Sequence, residues 1–411
     1  MRWSELNPEI WYLVFQAVST AFNALATPVL YRSVILRRSE TTGQEWNVLP
    51  GDTSDSDEAD NLRDSLFSRL LDHQNESLRT LVRELTLDRI VRADEMIAQR
   101  GNPIVKLVNG LPNLERVYFR DEYPLSQVLI DAMRGHKRSP QLHILNPLGR
   151  IQLAVPAPFV KALSTSVNVY ARGTGSQKQT LDLRRLFTIY PNLESLSVSI
   201  NRYRTGCVRR HPRDYTTEII PLELPGSETF PPLQSLSLSG YYCEEQEFQY
   251  WRDKFPWDRL ESLSLGPEDN YGFLEQITGY VHRLKNLKVT AYCHRTETTS
   301  PQLDHFLGSF DTLESLTAKG FVPSVEAVGH HPNLKTLCLH AIEHPERDRP
   351  VPSAQLIQKL DQYCPNLQSL AIDVQQEDTW VSDVRYKPSY CARAHLYPLA
   401  RRLCSCSGDW V

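Results

Sequence analysis

The sequence predicts an α/β solenoid, a stack of strand, turn and helix coils. Three observations lead there: an apolar phrase that returns along most of the chain, helical period between its copies, and proline at the junctions. The phrase spaces apolar residues as L-x-x-L-x-L or a close variant. It reads "PNLERVYF" at 112–119, "PNLESLSV" at 191–198, "PPLQSLSL" at 231–238, "DRLESLSL" at 258–265, "DTLESLTA" at 311–318, "PNLKTLCL" at 332–339 and "PNLQSLAI" at 365–372. "KNLKVT" at 285–290, preceded by Leu284, and "VRELTL" at 82–87 fit the same template.

The leading residues Leu193, Leu233, Leu260, Leu284, Leu313, Leu334 and Leu367 stand 40, 27, 24, 29, 21 and 33 positions apart by subtraction. Intervals of roughly 20 to 29 residues are those of repeats with one short strand and one helix each, and the longer ones read as coils with insertions. One such unit cannot cover its own apolar face, so neighbours stack into a continuous core with a parallel sheet.

Taken in chain order, the first element is "LNPEIWYLVF" at 6–15. Pro8 suits a first helical turn, where its missing N–H forfeits nothing, and Glu9 suits the positive end of the helix. A further helical stretch continues through residue 36. Residues 37–60 read as a linker ending in the acidic, serine-bearing run "DTSDSDEAD" at 52–60, and the first repeat helix is expected near Asn61 with Leu62, Leu66 and Leu70 aligned. Between later phrases, Phe248, Trp251 and Phe255 share a helix face, as do Leu274, Ile277, Val281 and Leu284, then Leu303, Phe306, Leu307 and Phe310, then Leu356, Ile357, Leu360 and Tyr363. Pro191, Pro332 and Pro365 stop such helices and pass the chain to extended segments. Residues 381–411 lose the pattern and read as a C-terminal cap or tail, leaving 61–380 as the repeat array.

Strand alternation assigns the two faces. Leu196 and Val198 point to the core, which puts Ser195, Ser197 and Ser199 on the opposite face, expected to be the concave one. The same reasoning places Arg116, Tyr118 and Arg120, then Ser235 and Ser237, Ser262 and Ser264, Asn286 and Lys288, Thr317 and Lys319, Thr336 and His340, and Ser369 and Asp373 there.

Composition narrows the function. Net charge is −4, so no global positive field favours nucleic acid or an anionic membrane. No stretch approaches the roughly 20 apolar residues that cross a bilayer, and Arg2, Glu5, Asn7 and Glu9 do not make a signal peptide. The eight cysteines include no CxxC pair and read as free thiols in a reducing compartment, cytoplasmic or nuclear. No Walker, G-x-S-x-G or H-E-x-x-H sequence occurs. "HAIEH" at 340–344 matches H-x-x-E-H, but its first His ends an expected strand and Pro345 interrupts, so both imidazoles cannot share a helix face. No catalytic site, metal or cofactor is expected. The arginine-rich "RYRTGCVRRHPRD" at 202–214 reads as a solvated insertion.

The phrase and its intervals resemble irregular fungal leucine-rich repeat proteins. The asparagine that such repeats carry three residues after the last Leu is matched by Asn201. Tyr241, Glu268, Tyr292, Phe321, Ile342 and Gln375 stand at that position elsewhere, so no regular asparagine ladder of that kind is expected. The N-terminus, with Leu6, Pro8, Glu9, Ile10, Trp11, Val14, Phe15, Phe22, Leu25, Ala26, Leu30, Tyr31, Val34 and Leu36, resembles a shortened F-box over residues 1–36, in which Val18 leads almost directly into "STAF". That resemblance implies a substrate-recognition subunit of a cullin–RING ubiquitin ligase and no enzyme. Leu6, Pro8, Glu9, Ile10, Val14 and Phe15 would hold the Skp adaptor. A target protein would meet the concave face at Arg116, Tyr118, Arg120, Lys288, Lys319, His340 and Asp373. The alternative is a leucine-rich repeat scaffold unrelated to ubiquitin, its N-terminal helices serving only as a cap.

Overall fold

The computed structural model describes residues 18–20, 22, 24–38, 46–47, 67, 69–88, 103–120, 125, 127–145, 156–171, 183–204, 230–241, 245–266, 270–290, 301–320, 322–340, 354–373 and 391–395. The chain divides into two units. Unit 1 comprises Met1–Thr165 and Ile189–Asn192, and unit 2 comprises Ser166–Thr188 and Leu193–Val411.

Unit 1 holds β1 (Ser33–Arg38), β2 (Trp46–Asn47), β3 (Glu84–Asp88), β4 (Arg116–Arg120), β5 (Gln141–Leu145) and the opening residues of β6 (Val160–Ala171). Its helices are α1 (residues 18–20, 22 and 24–30), α2 (Glu76–Arg79), α3 (Pro103–Gly110) and α4 (Gln127–Gly135). β1, β3, β4, β5 and β6 pair in parallel in that order, and β2 pairs antiparallel with β1. Parallel register puts Val34, Leu85, Val117 and Leu142 in one row and Leu36, Leu87, Phe119 and Ile144 in the next. All eight are buried. β1 spans residue 36, so the sheet begins inside the stretch read as N-terminal helix.

Unit 2 holds β7 (Ser195–Arg204), β8 (Ser235–Ser239), β9 (Ser262–Leu265), β10 (Asn286–Thr290), β11 (Ser315–Lys319), β12 (Thr336–His340), β13 (Ser369–Asp373) and β14 (Cys391–His395). The helices are α5 (Leu183–Ile189, whose last residue falls in unit 1), α6 (Glu245–Lys254), α7 (Asn270–Ile277), α8 (Pro301–Leu307), α9 (Val325–Gly329) and α10 (Ala354–Tyr363). β7 to β13 are parallel, and β14, from the segment read as a tail, closes the ladder antiparallel to β13. Such a closing strand shields an edge that would otherwise template association.

The repeated leucines do what their spacing requires except in the last repeat, where Leu367 and Leu370 are only half-buried. Leu196, Leu236, Leu263, Leu287, Leu316 and Leu337 form one in-register row, and the leading Leu193, Leu233, Leu260, Leu284, Leu313 and Leu334 form a second layer, all of them buried. Each such side chain contributes about 1.5–3 kcal/mol by leaving water. The helix faces behave likewise: Trp251, Phe255, Leu274, Ile277, Leu303, Phe306 and Phe310 are buried. Tyr363 departs from its expected apolar face and stays 44% exposed, its side chain close against Gly329, where an added Cβ would lie 2.9 Å from its Cγ.

Backbone hydrogen bonds carry each coil to the next. At the start of a strand, two consecutive N–H groups donate to one carbonyl of the preceding coil. Glu115 and Arg116 thus donate to Arg83 (2.8 and 3.0 Å), Lys285 and Asn286 to Glu261 (2.9 and 3.0 Å), and Lys335 and Thr336 to Glu314 (2.8 and 3.1 Å). Glu261, Lys285, Glu314 and Lys335 also alternate in charge, with Nζ to carboxylate distances of 2.9 Å for the first pair and 2.5 Å for the last. Gly240 ends β8 at φ +71°, where an added Cβ would lie 2.2 Å from the Ile200 carbonyl oxygen, so only glycine fits the turn.

Candidate functional site

Two kinds of surface are open to a partner: the N-terminal helix and the strand faces. Leu6, Pro8, Glu9, Ile10, Val14 and Phe15 lie outside the described residues. The helix immediately C-terminal to them, α1, places Val18, Phe22, Leu25 and Val29 at steps of four, three and four, one stripe of a helix surface. These side chains are 60, 68, 77 and 74% exposed, and Leu30 beside them is 71% exposed. The helix is tied at its C-terminal end, where Tyr31 N–H donates to Thr27 O (3.0 Å) and the Arg32 carbonyl accepts from Arg83 and Glu84 (2.9 and 3.0 Å). Beyond that anchor its apolar stripe is not buried against the repeats.

On the strand face of unit 1, register sets Ser33, Glu84, Arg116 and Gln141 in a first row, Ile35, Thr86, Tyr118 and His143 in a second, and Arg37, Asp88 and Arg120 in a third. The structure thus brings together Arg116, Tyr118 and Arg120 as strand alternation requires. Arg116 lies 3.3 Å from the Glu84 carboxylate, and the neighbouring Tyr118 hydroxyl and then Glu84 hold its pKa above the ordinary arginine value. The Tyr118 ring packs on His143 with centroids 4.7 Å apart and planes at 34°. Asp88 is buried, whereas Arg120 is exposed.

The strand face of unit 2 is different. Ser195, Ser235, Ser262, Asn286, Ser315, Thr336 and Ser369 form its first row, and Ser197, Ser237, Ser264, Lys288, Thr317, Cys338 and Ala371 its second. It is a field of short hydroxyl side chains from which Lys288 and Lys319 stand out, both exposed. His340 and Asp373 share this face but form their own contact, Nδ1 to Oδ1 at 3.1 Å, and Asp373 is only 2% exposed. Asp373 therefore acts on the surface through His340 and presents no open carboxylate to a partner. Among the described residues no group of three or more His, Cys, Asp or Glu side chains gathers where a metal ion could sit, and no helix is long and apolar enough to cross a membrane.

Sequence reasoning missed the ties between coils. The asparagine of the "PN" pair reaches back. Asn113 Nδ2 donates to Thr80 O (2.8 Å), Asn192 to Pro158 O (3.1 Å) and Asn366 to Pro332 O (3.0 Å). The recurrence of Pro-Asn before several leading leucines was the signal that could have shown it.

The fold and these faces define an α/β repeat protein with a leucine-rich-repeat-like fold, whose open surfaces are an apolar helix stripe and polar strand faces. No family model matches the sequence, and no curated protein matches it. Among solved structures, the chain is similar to one in the crystal structure of the Rad7 and Elc1 complex in yeast, at 16% identity and a TM-score of 0.39, over 71% of this chain and 70% of that one.

Proposed function

We propose that this protein is a substrate-recognition subunit of a cullin–RING ubiquitin ligase. Its N-terminal segment binds a Skp-type adaptor, and its repeats receive a protein to be ubiquitinated. The reading assigns no chemistry to the chain itself. Bond making belongs to other subunits, and the receptor acts by raising the effective concentration of target near the conjugating enzyme.

The observation that carries this reading is the exposure of α1. A helix serving only to cap the repeats would bury its apolar stripe on them. Phe22, Leu25 and Val29 instead stand 68 to 77% exposed, which favours a stripe covered by a partner. The shortened F-box resemblance, with Leu6, Ile10, Val14 and Phe15 just upstream, supplies the identity of that partner.

The test is retention of recombinant Skp adaptor by the full-length chain. Deleting residues 1–36 is the wrong comparison, because it removes Val34 and Leu36 from the core of unit 1. The informative variants are Phe22→Asp with Leu25→Asp, and Ile10→Asp with Phe15→Ala. Retention by the intact chain and loss in both variants is expected. An intact chain that retains no adaptor overturns the reading in favour of a scaffold unrelated to ubiquitin.

A further inference from the structure

The strand face of unit 1 has the features of a recognition surface, and its chemistry specifies what fits. Its central row exposes Ile35 to 41% and half-exposes the Tyr118 ring two strands away, across the buried Thr86. That ring is held by packing on His143, with centroids 4.7 Å apart. A large side chain already held in place loses little freedom on binding, and tyrosine and arginine dominate the centres of protein interfaces.

Among the described side chains of this face, charge accounting singles out one cation. Arg116 is matched by Glu84 at 3.3 Å, and Asp88 is buried. Arg120 is exposed, and no carboxylate pairs with it among the described residues. Its complement is a carboxylate, which a guanidinium binds through two parallel hydrogen bonds. Tyr118 and Arg120 stand two residues apart on β4, so their side chains project about 7 Å apart, the spacing of alternate side chains on any extended chain.

We infer that unit 1 binds an extended acidic segment of the target, with an apolar side chain against Tyr118 and Ile35 and, two residues away, a carboxylate on Arg120. This deepens the proposed receptor function and rests on its assumption that a strand face receives the target.

The test pans a phage-displayed library of random 12-residue peptides on the full-length chain and measures enriched peptides against variants. The expected consensus is an apolar or aromatic residue two positions from Asp or Glu. Tyr118→Ala and Arg120→Glu should each weaken binding by about tenfold or more, Lys254→Ala on α6 of unit 2 should leave it unchanged, and changing the peptide acid to Lys should restore binding to Arg120→Glu. The charge swap keeps the inference falsifiable, because a misfolded variant cannot be rescued by a different peptide. A basic consensus, binding that survives Arg120→Glu, or a library that yields no enriched peptide overturns it. Adaptor retention measured on the same proteins separates the two readings: peptide binding without adaptor refutes only the ligase assignment, and adaptor without peptide refutes only this one.

Discussion

The side-chain amide of Asn113 donates to the carbonyl of Thr80, 2.8 Å away and one coil earlier. That carbonyl belongs to the turn after α2, where the chain leaves a helix with its last carbonyls unpaired by the helix itself. The asparagine satisfies one of them from the next coil, and Asn192 and Asn366 likewise donate to the Pro158 and Pro332 carbonyls one coil earlier.

Asn113→Ala should therefore destabilise unit 1 by about 1–2 kcal/mol, since it strands a half-buried acceptor. Asn366→Ala breaks a solvent-exposed bond and should cost unit 2 less, about 0.5 kcal/mol. The two sites share no partner, so their effects in the double variant should add. Urea unfolding followed by circular dichroism measures this, and a loss under about 0.3 kcal/mol at both sites would show the ties to be incidental.

His331 makes a second prediction. Its side chain is fully buried, its ring packs 5.0 Å from Phe310, and neither ring nitrogen has a hydrogen-bond partner among the described residues. Burial, with a smaller contribution from His330, pushes its pKa down from 6.5 to about 4, and Asp311 offsets this only in part. The unfolded chain takes up a proton near pH 6.5 while the folded one resists until about pH 4. Stability is thus fully present above pH 6.5 and falls as pH drops toward 4, by up to about 3 kcal/mol from this group. His331→Leu should flatten the stability profile across that window, and an unchanged slope would assign the acid sensitivity elsewhere.

Tyr190 offers the opposite sign. Its hydroxyl is buried in unit 1 with no hydrogen-bond partner among the described residues, and burial raises its pKa. Tyr190→Phe removes the unsatisfied group and keeps the ring, so it should be neutral or stabilise by up to about 1 kcal/mol. A loss of more than about 1 kcal/mol in thermal unfolding would reveal a partner for that oxygen.

These residues show what the sequence made legible. The leucine rows were readable because apolar burial has a period, two along a strand and one per coil, and the spacing of Leu263, Leu287, Leu316 and Leu337 carries it without help from structure. The polar face came from alternation, which is how Arg116, Tyr118 and Arg120 were assigned to one surface. Pairings between coils were not readable: that Asp373 turns inward to His340, or that Arg116 is matched by Glu84 while Arg120 is not, depends on rotamers and register across strands about 30 residues apart. The fate of an apolar helix was equally hidden, since Phe22 and Leu25 read the same whether they are buried or bare.

That last distinction can be tested without any partner. Phe22 and Leu25 are 68 and 77% exposed on α1, while Val34 and Leu36, a few residues further on in β1, are 4 and 0% exposed. Aspartate at an exposed site leaves a solvated charge, so Phe22→Asp and Leu25→Asp should each change stability by no more than about 0.5 kcal/mol. They should also raise solubility by breaking the apolar stripe. Aspartate at Leu36 places an unpaired charge in the row shared with Leu87 and Phe119, and unit 1 should fail to fold. Thermal melts of the three variants decide the matter. If Phe22→Asp or Leu25→Asp destabilises by about 2 kcal/mol or more, on the scale of a buried side chain, the helix packs on the repeats in solution and serves as a cap. If both are silent while adaptor retention is lost, the stripe works only in the complex.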